Sequence, residues 1–129
     1  MTPTRILTVF AALNGAMSVM VGAFAAHGAG PAVKTLLMTG AQYQAIHALL
    51  ALICAISLGN RPLARLAGWL AASGGLVFCL ALSSIGLLGL KAMGAVAPIG
   101  GLLMIAAWLL LALVASRGSK ADSGPTDQS

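Results

Sequence analysis

Three side chains that could do chemistry lie within one short segment of the chain. Tyr43 and Gln44 precede His47 by four and three residues, a spacing that places phenol, amide and imidazole on one face of a helix. His27 is the other histidine, and Asn14 is a lone amide in an apolar run. Polar groups inside a membrane either pair internally or mark a site. These five residues are therefore candidates for a polar pocket, and a structural role in which His47 locks the helices together stays open beside it.

The residue types argue against the common catalytic and metal sites. A zinc or copper site needs three or four ligands, and no carboxylate lies in the apolar part of the chain. Two histidines would suffice for a haem in a helical bundle, but only their number supports one. Cys54 and Cys79 lie deep in apolar segments and are expected to be packing residues. We therefore expect a protein that is not an enzyme, with no catalytic residue, metal or cofactor.

The composition predicts that these residues are positioned inside a membrane. Of 129 residues, 60% are hydrophobic and 7% are charged, against about 25% charged in an ordinary soluble domain. The net charge is +5, yet the basic residues lie singly between apolar stretches, which is typical of charges that flank membrane spans and not of a nucleic-acid site. The sequence predicts a multi-pass protein of the cell (inner) membrane, with the lipid bilayer and no nucleic acid as its surroundings.

The apolar runs predict an all-α integral membrane four-helix bundle. A transmembrane helix needs about 20 apolar residues. The predicted transmembrane domain is 1–116, with spans at about 6–26, 41–59, 63–90 and 92–116. A short interfacial helix is expected over 32–39. A signal peptide is the competing interpretation of the first run, but that run is long for one and has Asn14 in its middle.

The charges predict the orientation of this bundle. Four spans place both termini on one side of the membrane, and the basic residues of that side are Arg5, Arg61, Arg65, Arg117 and Lys120. Only Lys34 and Lys91 remain for the other side, so both termini are predicted to be cytoplasmic. The polar segment 117–129 is predicted to be a disordered cytoplasmic tail. His27 then lies at the outer boundary with His47 about 9 Å further in, which predicts that the two are neighbours.

Small residues are predicted to hold the helices together. Lipid gives no hydrophobic driving force between helices, so close approach through small side chains stabilises a bundle. Gly15, Ser18 and Gly22 share a face of the first span, and Ala71 and Gly75 share a face of the third. These five residues are the predicted helix-packing positions.

Two further features are predicted for the third and fourth spans. Pro98 is expected inside the fourth span, where its missing N–H would leave the Gly94 carbonyl unpaired and kink the helix. Trp69 and Trp108 are expected to be anchors at the inner membrane interface.

Three motifs give the chain a resemblance to a known family. They read Gly-Ala-Phe-Ala-Ala-His-Gly over 22–28, Gln-Tyr-Gln followed by His-Ala-Leu over 42–49, and Ala-Pro-Ile-Gly-Gly followed by Trp over 97–108. Together they resemble the small membrane family catalogued as domain of unknown function 423, which includes the animal proteins named transmembrane protein 256. The resemblance covers about 7–113 and implies a four-span fold without an established activity.

The chain departs from this family pattern in two places. It has Ala97 where the pattern has a threonine, and Cys-Leu-Ala-Leu-Ser over 79–83 where the pattern has a Ser-Gly-Ser-Leu-Tyr type of segment. A role that depends on those hydroxyl groups is therefore not carried over to this chain.

Two classes of function follow from these features. The first is a non-catalytic accessory or assembly protein, which predicts a membrane-protein partner and mild effects of changing His47 alone. The alternative is a homo-oligomeric small-solute or ion permeation protein with His27, Gln44 and His47 around an outer vestibule, which predicts a flux lost in His47→Ala. A haem redox protein comes third, and a spectrum without a Soret band would remove it.

Overall fold

The chain folds into four long helices in a computed structural model that describes residues 1–121, with side chains described up to Gly118. The helices are α1 (Pro3–Gly28), α2 (Pro31–Leu58), α3 (Pro62–Leu88) and α4 (Ala97–Ala121). Each is at least 25 residues long, or about 38 Å at 1.5 Å per residue, which exceeds a hydrocarbon core of about 30 Å. All four are long and apolar enough to cross a membrane. The predicted all-α, four-span fold is confirmed.

Proline marks the start of the first three helices. Pro3, Pro31 and Pro62 are the first residues of α1, α2 and α3. The first turn of a helix leaves its N–H groups without intrahelical partners, so a proline there loses nothing and its fixed φ favours the helix. At α1, the Thr2 hydroxyl also accepts a hydrogen bond from the Arg5 N–H at 3.3 Å. Short connections between the helices then make sequence neighbours antiparallel.

Pro98 also lies in the first turn of its helix, whereas the sequence predicts a kink inside the fourth span. Lys91–Ala95 forms a 3₁₀ turn, and α4 begins at Ala97 with Pro98 in its first turn. The Val96 carbonyl accepts from the Ile99 N–H at 3.0 Å. The fourth span therefore changes from a 3₁₀ turn to an α-helix at the place of the expected kink. No kink is needed there, because a proline fits the first turn without losing a helical hydrogen bond.

Two other boundaries differ from the sequence-based ones. α2 begins at Pro31, so the segment 32–39 is part of the second span and not a separate interfacial helix. α4 continues to Ala121, beyond the predicted start of the tail at Arg117. The rest of the predicted tail, 122–129, lies outside the described residues.

α2 and α3 form the central hairpin of the bundle. A Cβ on Gly40 of α2 would lie 3.1 Å from the Cα of Cys79 on α3. A Cβ on Gly75 of α3 would lie 3.2 Å from the Cα of Gln44 on α2. Because few real Cβ contacts are this short, the two backbones approach at distances that small residues permit.

α1 packs against α2, and α4 packs against α3. The α3–α4 contact is closest at Gly100, where a Cβ would lie 2.7 Å from the Phe78 nitrogen and 2.8 Å from the Gly74 carbonyl oxygen. In the part of the chain that the structure describes, α1 and α4 do not pack along each other. Nor do α2 and α4 pack along each other in that part of the chain, so the bundle is open between them, and α3 forms the base of this opening.

Most of the predicted small-residue positions lie at helix contacts. Ala71 is fully buried, Ser18 is buried, and Gly75 lies against α2. A Cβ on Gly22 would make an ordinary van der Waals contact with α2. Gly15 differs, because a Cβ there would meet nothing within 4 Å. It borders an open groove between α1 and α2.

The two ends of the bundle carry different basic residues. A Cβ on Gly59, after α2, would lie 2.9 Å from a side-chain atom of Thr4, and a Cβ on Gly118 would lie 3.1 Å from an Arg61 nitrogen. These contacts bring the start of α1, the α2–α3 turn and the last turns of α4 to one end. We call it the arginine-rich end; its arginines are Arg5, Arg61, Arg65 and Arg117. Lys34 and Lys91 belong to the opposite end.

Candidate functional site

His47 lies near the middle of the bundle and far from His27. Since α2 begins at Pro31, His47 is 16 residues, or about 24 Å, along that helix. His27 is in the last turn of α1 and exposed, whereas His47 is 5% exposed. The expected neighbouring histidines are therefore separated by about half the bundle length, because the second span begins earlier than its apolar run suggests. One haem iron could not be ligated by both.

A buried amide pair joins α1 to α2 at this depth. The Gln44 Nε2 donates to the Asn14 Oδ1 at 3.0 Å, and the Asn14 Nδ2 donates to the Phe10 carbonyl at 3.0 Å. Gln44 is 1% and Asn14 is 3% exposed. Burying an amide without a partner is costly, so each side chain offsets most of the cost of the other. This pair is the type of internal lock that sequence reasoning had proposed for His47.

A second polar contact joins α2 to α4 through His47. Its Nδ1 lies 2.7 Å from the Tyr43 carbonyl oxygen, and the Trp108 Nε1 lies 3.1 Å from its Nε2. A carbonyl oxygen can only accept and an indole N–H can only donate. His47 is therefore the neutral tautomer with its proton on Nδ1, and both ring nitrogens are occupied by the protein itself.

Gly75 of α3 allows this polar layer to form. A Cβ on Gly75 would lie 3.2 Å from the Cα of Gln44 and 3.3 Å from the Cβ of His47. The missing side chain lets α3 cover the two polar residues of α2 and keep them from lipid. We call Asn14, Tyr43, Gln44, His47 and Trp108 the polar band. Its hydrogen bonds cross two helix interfaces without involving α3 side chains.

Two oxygen atoms of the polar band keep unused hydrogen-bonding capacity. The Gln44 Oε1 is buried and has no partner among the described residues. The Tyr43 hydroxyl takes no part in the hydrogen bonds that the described residues form in this band. Tyr43 is 46% exposed and lies about 18 Å from the start of α2. Its half-exposed side chain therefore faces the outside of the bundle near the middle of α2.

The exposed edge of the polar band lines a groove that we call the α2–α4 groove. Its volume is about 390 Å³, and its walls are Tyr43, His47, Phe78, Gly101, Met104, Ile105 and Trp108. The Tyr43 and Phe78 rings meet edge to face with centroids 5.3 Å apart, and the His47 and Trp108 rings are 6.2 Å apart at 80°. Edge-to-face aromatic pairs are a favoured arrangement and stabilise the packing of the walls. The groove is mainly apolar and open to the side of the bundle.

Sequence reasoning placed Trp108 differently and did not select Phe78. Trp108 was expected to anchor the inner interface, but it lies about 17 Å from the start of α4 and donates to His47. Helical spacing could have found it, because Gly101, Met104 and Trp108 follow at intervals of three and four residues, which places them on one face of a helix. No local signal in the sequence singles out Phe78, which lines the groove only because α3 forms the base of the groove. Trp69 does not join this site and stacks on Phe10.

The other chemically active groups do not assemble into a site. In the described residues, no three histidine, cysteine, aspartate or glutamate side chains lie close enough to hold a metal ion. Cys54 and Cys79 are fully buried free thiols. The Cys79 sulfur lies 4.0 Å from the Ser83 hydroxyl one helical turn away. Among the described residues, the site has apolar surface and hydrogen-bonding atoms, but its side chains do not form an arrangement of acid, base and nucleophile.

Known proteins resemble the chain over most of its length. Residues 21–101 match a family model described as protein of unknown function (DUF423). A UPF0382 membrane protein of Staphylococcus haemolyticus is 35% identical over 112 residues, with 83% of this chain and 92% of that protein covered. A UPF0382 membrane protein of Staphylococcus epidermidis is 32% identical over 114 residues, with 84% and 93% covered. No solved structure matches.

Proposed function

Because the chain belongs to the family described as protein of unknown function (DUF423), a description that assigns no activity, we propose a function from its site. The chain is a multi-pass membrane protein with four apolar spans. We propose that it is a non-catalytic accessory or assembly protein, and that its α2–α4 groove binds a transmembrane helix of another membrane protein.

The observation that carries this proposal is that Tyr43, a half-exposed phenol near the middle of the 28-residue helix α2, lines a mainly apolar groove. In hydrocarbon, a hydroxyl that has no acceptor is costly. A neighbouring helix offers main-chain carbonyl and side-chain acceptors, and lipid tails offer none. The groove walls supply apolar surface beside the Tyr43 ring. A helix seated there would bury that surface and pair the phenol.

Gly101 supports a helix as the ligand. A Cβ on Gly101 would meet nothing within 4 Å, so its own bundle does not require a glycine at this place. Small residues on an outward face let the backbone of a second helix approach closely. Gly101 lies in the same groove as Tyr43 and Trp108. The three residues together form a surface suited to helix contact.

The polar contacts favour this function over permeation. A permeation path needs polar groups that face water or a solute, but Asn14 and Gln44 bond to each other and His47 is occupied at both nitrogens. His27 lies at the end of α1, so it does not share a vestibule with Gln44 and His47. The permeation alternative would need a passage formed between copies of the chain. The α2–α4 groove alone is too apolar to supply one.

Extraction in native lipid tests the proposal. The chain is purified through a tag at Ser129, and the assembly mass and every co-purifying polypeptide are determined. We expect one second membrane protein in a fixed ratio. Gly101→Leu, which fills the groove, should lower its recovery about tenfold or more, since hot-spot positions are worth about 2 kcal/mol. Gly15→Leu is the matched control, because Gly15 also has open space but lies between α1 and α2.

The outcomes separate the two functions. Loss of the partner in Gly101→Leu with retention in Gly15→Leu supports helix binding at the groove. A homo-oligomer without any second polypeptide would contradict the accessory role. In that case a solute or ion flux in proteoliposomes, lost in His47→Ala, would establish the permeation alternative.

A further inference from the structure

We propose that the arginine-rich end holds a binding site for the headgroup of an anionic phospholipid. The site is a cavity of about 230 Å³ between the α2–α3 turn and the last turns of α4. Its lining residues are Asn60, Arg61, Pro62, Leu63, Val114 and Arg117. We call it the basic cavity. It is separate from the α2–α4 groove and shares no residue with it.

Two arginines from different elements converge on the basic cavity. Arg61 follows α2 and Arg117 belongs to α4. An Arg61 guanidinium nitrogen lies 3.1 Å from the position of a Cβ on Gly118, so this side chain reaches across to α4. Arg61 and Arg117 therefore line one cavity although they are 56 positions apart in the chain.

The charge of the cavity is not balanced by the described chain. Residues 1–121 contain no aspartate or glutamate; the two acidic residues of the sequence are Asp122 and Asp127. Arg65 differs from Arg61 and Arg117, because its Nη1 donates to the Gly59 carbonyl at 3.1 Å and it does not line the cavity. A guanidinium presents a planar fork that matches two phosphate oxygens. A phosphate group would complement the charge and the donor geometry of the cavity.

The walls and the depth of the cavity select a lipid as the source of that phosphate. Pro62, Leu63 and Val114 give the cavity apolar walls, which suit the glycerol and first acyl carbons of a phospholipid. The cavity lies at the ends of membrane-spanning helices, where the phosphates of a bilayer lie. Basic pockets between helices on the cytoplasmic side favour anionic headgroups, and the arginine excess predicts that this end is cytoplasmic.

Lipid retention measured by native mass spectrometry tests the proposal. The full chain is placed in nanodiscs of equal parts phosphatidylglycerol and phosphatidylcholine and released into the gas phase. We expect phosphatidylglycerol to be retained preferentially. Its retention should fall roughly fivefold in Arg61→Gln and again in the double variant with Arg117→Gln, as expected for guanidinium groups near an anionic headgroup.

Arg5→Gln is the matched control for charge. Arg5 belongs to the same end but does not line the basic cavity, so its loss should leave retention unchanged. Arg61→Lys keeps the charge and loses the fork, and we expect it to retain less than the original chain. The unfolding midpoint of each variant in detergent identifies any variant that loses lipid because it unfolds. If an Arg61 variant unfolds, Arg117→Lys is measured in its place.

Three results would overturn the proposal. The first is equal retention of the two lipids by the original chain. The second is an equal loss in Arg5→Gln, which would indicate general attraction between charges. The third is displacement of the lipid by millimolar inorganic phosphate, which would identify the cavity as a site for soluble phosphate.

Discussion

His47 lies where α2, α3 and α4 meet. Its ring bonds to α2 and α4, and its Cβ lies against α3. It donates to its own helix at the Tyr43 carbonyl and accepts from Trp108 on α4, while Gly75 brings the α3 backbone against its Cβ. An imidazole whose two nitrogens are both occupied is a structural cross-link. A direct role in binding would first require that it release Trp108.

Trp108→Phe tests the cross-link at the residue scale. The change keeps an aromatic ring in the groove wall but leaves the buried His47 Nε2 without its donor. We expect the free energy of unfolding to fall by about 1 kcal/mol, the typical net value of one hydrogen bond. Equilibrium unfolding in mixed micelles measures it. Trp69→Phe is the control, because Trp69 stacks on Phe10, and an equal loss there would show that ring size alone is responsible.

The Asn14–Gln44 pair makes a second prediction at the same scale. Asn14→Leu leaves the Gln44 Nε2 without its acceptor, and Gln44→Leu leaves the Asn14 Oδ1 without its donor. Each change should destabilise the bundle by about 1–3 kcal/mol. The double variant removes both amides, so its loss should be smaller than the sum of the single losses. A double-mutant cycle in micelles should give a coupling of about 0.5–1.7 kcal/mol. Additive losses would contradict the pairing.

The sequence predicts several residues of the polar band but not the hydrogen bonds between them. The spacing of Tyr43 and His47 predicts that they share a face of α2, and both line the α2–α4 groove, because helical periodicity is local. Asn14 is also among the predicted residues, but its pairing with Gln44 and the contact of Trp108 with His47 depend on tertiary packing, which local spacing does not reveal. His27 was included because of its residue type, and its place at the end of α1 separates it from the others.

At the scale of the elements, close backbone contact holds the helices together. Gly100 and Gly74 meet between α3 and α4, and Gly40 meets Cys79 between α2 and α3. The sequence indicated small-residue packing, but it did not indicate which glycine faces which helix. Gly15 was expected at a contact and faces open space, whereas Gly100 was not selected and lies at the closest contact.

Gly100→Ala tests the packing of α4 on α3. The added Cβ would lie 2.7 Å from the Phe78 nitrogen, and main-chain atoms cannot move aside without separating the helices. We expect a loss of about 1–3 kcal/mol in the free energy of unfolding, the usual cost of overpacking. Gly101→Ala is the neighbouring control with open space, and it should be neutral or stabilising by up to about 1 kcal/mol. A tolerated Gly100→Ala would contradict the close contact.

The positions of the prolines indicate where the helices begin. The sequence predicts a kink at Pro98, but Pro98 lies in the first turn of α4, and Pro3, Pro31 and Pro62 are the first residues of the other helices. The same rule would have placed the start of the second span at Pro31. That start decides the depth of His47, so one misplaced boundary moved the expected site toward the membrane surface.

At the scale of the whole molecule, the bundle has one arginine-rich end and one lysine-bearing end. The positive-inside rule favours the arginine-rich end, which holds the N-terminus, in the cytoplasm. Gly30 lies in the α1–α2 connection at the opposite end, and Asn60 lies in the α2–α3 turn at the arginine-rich end. Both are exposed, so they report the orientation.

Thiol labelling checks this orientation. Cys54 and Cys79 are fully buried, so a membrane-impermeant maleimide should react only with an introduced cysteine. We expect Gly30→Cys to be labelled in intact cells and Asn60→Cys only after the membrane is permeabilised. Labelling of the unchanged chain serves as the background. The reverse pattern would place both termini outside the cytoplasm and move the basic cavity to the outer leaflet.

The central claim is that the α2–α4 groove is occupied by a helix of another membrane protein, and in-cell photo-crosslinking from the groove tests it most directly. A photoreactive amino acid replaces Ile105, which lines the groove, or Leu13, which is exposed on α1 and does not line it. We predict one discrete crosslinked product from position 105 that contains a different membrane protein, and none from position 13. Crosslinks from position 105 to lipid alone, or equal products from both positions, would contradict the account.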